Sequence, residues 1–195
     1  MSNFIKEGLQ EAQLVLNEVL NDSTFQQDIQ KCIRLLTDAL ENKHHLFSCG
    51  NGGSMCDSMH FAEELTGRFR KDRPSLPAMA IADPSHLTCV GNDYGYEYIF
   101  SRHLEGWGKE GDVLLAISTS GNSPNVIEAV KTAQSKKMKT IGLLGKSGGK
   151  LSGMVDIPLI VPFTKSTDRI QEIHIKIIHL FIEGIERKLF PNNYD

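Results

Sequence analysis

The sequence predicts an α/β protein: a doubly wound, five-stranded parallel sheet flanked by helices, with two further helices ahead of the first strand. Three observations lead there. Short apolar runs such as Val113-Leu114-Leu115-Ala116-Ile117 lack the polar alternation of a half-exposed strand, so both of their faces should be covered. Segments with apolar residues at helical spacing separate those runs. Two of the runs end in turns rich in glycine or serine, each followed at once by a helical segment.

Each element follows from its own residues. Residues 3–20 set Ile5, Leu9, Ala12, Leu16, Val19 and Leu20 at helical spacing among polar residues, which predicts an amphipathic helix. Asn21-Asp22-Ser23 breaks it and re-caps a second helix over 25–40, with Ile29, Ile33, Leu36 and Leu40 on one face. His45 to Cys49 is the first strand; it ends in Gly50-Asn51-Gly52-Gly53-Ser54, and a helix follows over 55–68. Residues 77–82 form the second strand, Asp83-Pro84-Ser85 caps a short helix, and 96–107 is helical. Strands over 113–118, 140–144 and 157–161 complete the sheet, with a helix over 124–136 and a long terminal helix over 168–189. No repeat, low-complexity tract or linker interrupts the chain, so residues 1–195 are expected to form one domain.

Composition narrows the function classes. A formal net charge of -3 leaves no basic footprint for nucleic acid. The N-terminus carries Asn3, Lys6, Glu7 and Glu11 and does not read as a signal peptide. No apolar run approaches the ~20 residues that span a bilayer. Cys32, Cys49, Cys56 and Cys89 lack C-x-x-C spacing, which suits reduced, mostly buried thiols. A cytoplasmic protein is expected.

The run Ile117-Ser118-Thr119-Ser120-Gly121-Asn122-Ser123-Pro124 is the most informative stretch. Pro124 suits the first helical position and Ser123 the N-cap. Unpaired amides and a partial positive charge then point into a turn crowded with hydroxyls, where a phosphate fits without a lysine. The turn has neither a Walker ending nor the spaced glycines of a dinucleotide fingerprint, so a phosphorylated metabolite is expected rather than a nucleotide. In doubly wound sheets ligands bind beyond the carboxyl ends of the strands where strand order reverses. The Gly50–Ser54 and Ser118–Ser123 turns would face each other across that crevice.

His60 and Glu64, four apart on one helix, share a face. That spacing serves a metal, an acid/base pair or an ordinary surface hydrogen bond, and Glu63 beside them reads as solvated or ion-paired. The terminal helix is apolar on too many sides for a free surface helix, which implies burial against the sheet or other subunits. His179 lies in its most apolar part, as either a satisfied core histidine or a functional imidazole.

Cys49-Gly50-Asn51-Gly52-Gly53-Ser54, Asp57, the block Met59 to Arg68, Val90-Gly91-Asn92-Asp93-Tyr94-Gly95, the serine turn and Asp168 to His174 together resemble the phosphoheptose isomerase family, of the sugar-isomerase (SIS) fold. The likeness runs from the first helix nearly to Phe190. It implies an aldose–ketose isomerase that interconverts sedoheptulose 7-phosphate and glycero-manno-heptose 7-phosphate, the first step toward the nucleotide-activated heptose of lipopolysaccharide cores. It also implies a homotetramer with active sites at subunit interfaces. By that resemblance Ser54, Ser118, Thr119, Ser120 and Ser123 hold the phosphate. Asn51, Arg68, Asp93 and Asp168 contact the sugar, with Gly52, Gly53, Asn92 and Gln171 in the same binding set. Glu64 and His179 are the acid/base pair, and zinc, one per subunit, takes His60, Glu64, Gln171 and His179.

Two tensions come with it. A metal-bound carboxylate is a poorer base, and Gln171 and His179 stand eight residues apart, roughly 12 Å along a helix. Met55 and the tail from Phe190 depart from the family pattern, and neither is expected to touch the chemistry. A replication-initiator-binding protein of the same fold also resembles the chain; Cys56-Asp57, Glu63-Glu64 and Asp168-Arg169 favour the enzyme.

Overall fold

A computed structural model describes residues 3–163 and 165–194. Two helices, α1 (Phe4–Asn21) and α2 (Ser23–Glu41), precede β1 (Leu46–Gly50). Then come α3 (Gly53–Thr66), β2 (Ala78–Ala80), α4 (Pro84–Asp93), α5 (Ser101–Trp107), β3 (Val113–Ser118), α6 (Pro124–Ser135), β4 (Lys139–Gly145), β5 (Ile157–Val161) and α7 (Thr167–Leu189). The five strands are all parallel, in the order β2-β1-β3-β4-β5. Strand order reverses between β1 and β3, so the predicted doubly wound sheet is present and its switch point lies between those two strands.

Successive residues of β3 go to opposite cores, which explains the unbroken apolar run. Val113, Leu115 and Ile117 join α1, α2, α3 and α7 on one face. Leu114 and Ala116 join α4, α5 and α6 on the other. Asp22 caps α2 by accepting from the Phe25 amide at 2.9 Å, and Asp83 caps α4 by accepting from the His86 amide at 2.8 Å. Cys32 and Cys49 are buried as expected, and burial pushes both thiols up to about 12; Cys56 and Cys89 are exposed.

Several boundaries differ. The helix expected over 96–107 divides into a 3-10 turn at Tyr96–Tyr98 and α5. Ile99 and Phe100, between the two, are both buried in the core. The helix expected over 55–68 is α3 at 53–66, ended at Gly67, so Arg68 lies beyond it. The apolar face of α1 is the largest departure. Val15 is buried, but Ile5, Leu9 and Leu20 each expose more than 60% of their surface. Among the described residues of one chain, nothing covers Ile5, Leu9 and Leu20.

The core histidine is His174 rather than His179. His174 is fully buried, and its Nε2–H donates to the Leu144 carbonyl at 2.9 Å. Burial holds its pKa down to about 4, against 6.5 for a free imidazole. The folded protein therefore binds fewer protons than the unfolded chain between those values. The stability this contributes is present above pH 6.5 and is lost as the pH falls toward 4. Urea unfolding at pH 7 and pH 4.5 is expected to differ by up to about 3 kcal/mol from this group. His174→Gln, which keeps a donor for Leu144, should flatten that slope, and an unchanged slope would refute the assignment.

Candidate active site

The register of the sheet puts both predicted turns side by side. Gly50 at the end of β1 pairs with Ile117 of β3, so Asn51 and Ser118 leave adjacent strands at the same level. A reciprocal amide pair closes the gap. Asn51 Nδ2 donates to Asn125 Oδ1 at 2.9 Å, and Asn125 Nδ2 donates back to Asn51 Oδ1 at 2.8 Å. Asn125 is fully buried, and the Tyr96 hydroxyl adds a third bond to Asn51 Oδ1 at 3.0 Å. Gly52 turns the chain with φ +56°, the left-handed region that favours glycine. Gly50 has no room for a side chain, because a Cβ there would sit 2.6 Å from the Ser54 carbonyl oxygen.

The serine turn is tied by its own hydroxyls. Ser118 Oγ lies 3.1 Å from Ser123 Oγ and accepts the Gly121 amide at 3.1 Å, while Ser120 Oγ accepts the Asn122 amide at 3.2 Å. Pro124 occupies the first position of α6 as expected. Ser123 stands at the N-cap with extended backbone, but its side chain makes no capping bond. Its hydroxyl turns to Ser118 instead. A group carrying several acceptor oxygens would find Thr119, Ser120 and Ser123 partly exposed at a helix N-terminus.

Two turns along α3 from the glycine turn, His60, Glu64 and His179 meet. His60 Nε2 is 3.0 Å from His179 Nε2 on α7 and 3.4 Å from Glu64 Oε1. The shared face read from the i, i+4 spacing is thus a real cluster. Glu63 stays largely exposed, and its Oε1 lies 3.1 Å from His60 Nδ1, in keeping with both of its readings. Burial and the neighbouring Glu63 push the Glu64 carboxyl above its ordinary value. Burial, His60, Lys176 and Arg70 hold the His179 imidazole below its own. Both groups are driven toward their neutral forms, as an acid/base pair requires.

Among the described residues, His60, Glu63 and Glu64 form the group able to offer ligand atoms to one divalent metal within a chain, all within 4.8 Å of one another. His179 touches that group through His60, at 3.0 Å between the two Nε2 atoms. Within one chain Gln171 stands apart from His60, Glu64 and His179. Its side-chain amide packs over Gly53, where a Cβ would stand 2.6 Å from its Nε2, at the opposite end of the α3 face that carries His60 and Glu64. The eight-residue separation on one rigid helix accounts for that.

Among the remaining expected contacts, Ser54 is buried in the first turn of α3, and Gly52 and Gly53 are exposed above it. Asn92 and Asp93 end α4, exposed and joined by a 2.7 Å bond from Asn92 Nδ2. Arg68 and Asp168 are exposed, and Asp168 lies 3.6 Å from Arg169.

Residues 9–145 match the SIS domain family. The chain is 56% identical over 178 residues to a phosphoheptose isomerase of Glaesserella parasuis, covering 91% of this chain and 93% of the relative. It is 54% identical over 187 residues to that of Pectobacterium atrosepticum, covering 96% and 97%. The solved phosphoheptose isomerase of Francisella tularensis superposes with a TM-score of 0.90 at 35% identity, over 96% of this chain and all of that one. The chain belongs to the phosphoheptose isomerase family. The enzyme from Neisseria gonorrhoeae superposes with a TM-score of 0.82 at 39% identity, over 94% and 95% of the two chains.

Against this family background, the structure adds residues to which the sequence gave no role. Asn125 and Tyr96 hold Asn51, and neither follows from local spacing because both contacts are long-range. Asp57 did carry a signal, falling on the 53/57/60/64 stripe of α3. Its Oδ2 is buried without a hydrogen-bond partner, and burial raises its pKa to about 6.

Proposed function

We propose that the protein isomerises sedoheptulose 7-phosphate to D-glycero-D-manno-heptose 7-phosphate, supplying nucleotide-activated heptose for lipopolysaccharide cores. The observation that carries this reading is the hydroxyl-lined N-terminus of α6 beside a glycine turn whose helix bears His60, Glu64 and, against it, His179. The phosphate sits on Ser54, Ser118, Thr119, Ser120 and Ser123. Asn51, Arg68, Asp93 and Asp168 contact the sugar, with Gly52, Gly53, Asn92 and Gln171 beside them. Glu64 takes the proton from C1 and returns it to C2, while His179 carries the hydroxyl proton from O1 to O2, through an enediol. Held by His60, Glu64, Gln171 and His179, with helices of different subunits contributing, zinc would supply a Lewis acid that polarises the substrate carbonyl.

The whole chain works as one SIS unit and assembles as a cytoplasmic homotetramer with its sites at subunit interfaces. The apolar face of α1 supports that reading. Between α1 and α7 runs a groove of about 800 Å³ walled by Phe4, Ile5, Leu9, Leu16 and Ile173, with His179 in its lining. A second copy seated there would bury the face and reach the site. Among the described residues no helix is long and apolar enough to cross a membrane.

The test is the purified protein with sedoheptulose 7-phosphate, following aldose formation directly. Turnover that falls after chelation and returns with zinc is expected. No turnover with or without zinc would overturn the reading.

A further inference from the structure

The residues past α7 were expected to stand clear of the chemistry. Instead they close a buried ion pair beside it. Arg73 and Glu186 have side chains 1% and 0% exposed, and Arg73 Nε donates to Glu186 Oε1 at 2.9 Å. The Tyr194 hydroxyl donates to the other oxygen of Glu186 at 2.7 Å, and Asn193 Nδ2 donates to the Asp72 carbonyl at 3.1 Å. The rest of the guanidinium is spent on the end of α3. Nη2 donates to the Glu64 carbonyl at 2.6 Å, and Nη1 to the carbonyls of Leu65 at 2.6 Å, Gly67 at 3.0 Å and Pro74 at 3.2 Å. Arg73 is thus the C-cap of α3, with its charge at the negative end of the helix.

The placement matters because of what those elements carry. The turn of α3 that Arg73 grips contains Glu64. Glu186 lies seven residues beyond His179 on α7, on the same face. One planar fork therefore fixes the turn bearing Glu64 to the helix bearing His179. We propose that Arg73, oriented by Glu186 and Tyr194, is a positioning residue that sets the register of Glu64 against His179. This inference rests on the assignment of Glu64 and His179 to the proton transfers. A displacement of about 1 Å at a reacting group costs up to about 10²-fold in rate, so small slippage of this turn is expressed in kcat. The serine turn, which carries most of the proposed phosphate contacts, belongs to another element, so substrate affinity should move less than kcat.

A merely structural ion pair behaves differently. Replacing both partners of a buried pair by apolar side chains is often neutral or stabilising, whereas removing one is costly. The full-length double variant Arg73→Met, Glu186→Leu removes both charges together but also the donor to four backbone carbonyls, so it is expected to fold with a lowered thermal midpoint, with kcat lowered at least about tenfold and KM changed less. Tyr194→Phe, a milder change, should lower kcat a few-fold with KM unmoved. Arg73→Lys, which keeps the charge without the fork, should not restore kcat. A stable double variant with parental kcat overturns the proposal; if the double variant does not fold, parental kcat in Tyr194→Phe does so. Glu64→Gln is run beside them. If it retains turnover, the assignment of the site fails and the positioning role with it. If it is inactive while the double variant is fully active, the positioning role alone fails.

Discussion

Replacing Glu64 with glutamine is expected to lower kcat by about 10²–10⁴-fold, the range that a positioned general base contributes, with the fold intact. The side chain is only 17% exposed and lies 3.4 Å from His60 Nε2, so it is held rather than free. Burial and Glu63 raise its pKa, making it a stronger base than an exposed carboxylate. Glutamine keeps the shape, and the backbone carbonyl held by Arg73 is untouched. What is lost is the capacity to accept a proton. KM should change little, because Glu64 itself makes none of the proposed phosphate contacts. Steady-state kinetics with direct aldose detection, read beside a thermal melt and the zinc content, provide the check. A variant that turns over normally would remove Glu64 from the base position.

Gly121→Ala should cost about 3 kcal/mol or more and weaken substrate binding at least about tenfold. Gly121 has φ +64°, and a Cβ there would collide with the Gly148 carbonyl of the neighbouring turn. That turn is not free to retreat. The Leu151 amide donates to the Gly121 carbonyl at 3.0 Å, and the Lys150 amide donates to Asn122 Oδ1 at 3.0 Å. Relief must come from the serine turn itself, which pulls Ser118 and Ser120 out of place. For a domain of this size the melting midpoint should fall by about 6–12 °C, with KM raised and kcat less affected. An unshifted midpoint would show that the two turns can part without cost.

Much of this was legible in the sequence because the signals were local. Asp22, Asp83 and Pro124 each mark a helix start through residues one turn away. The apolar strand runs announced a sheet covered on both faces, and the paired glycine and serine turns pointed to the switch point. The i, i+4 spacing of His60 and Glu64 left three uses open, and the approach of His179 from α7, a second imidazole 3.0 Å from His60, could not be read from it. Sequence periodicity cannot say which of two histidines on one apolar helix is buried; the packing of β4 against α7 decides that it is His174. Ser123 stands at the expected N-cap, but its side chain makes no capping bond because a hydroxyl five residues back holds it. Arg73 escaped notice altogether, since its partner is 113 residues away. The choice between enzyme and initiator-binding partner turned on a few residue pairs, and the relatives named phosphoheptose isomerase side with the enzyme.

The division of the sheet into two cores has a consequence for how the enzyme can change. Glu64 and His179 ride on α3 and α7, which pack on one face, whereas the serine turn leads into α6, which packs on the other. The machinery that moves protons and most of the hook that grips phosphate, Ser54 on α3 excepted, are thus carried by separate hydrophobic layers and meet over the strand ends. A lineage can refit one layer for a different carbon skeleton while the other keeps its hold on the phosphate. Turnover and affinity are then heritable traits with largely independent addresses in the gene.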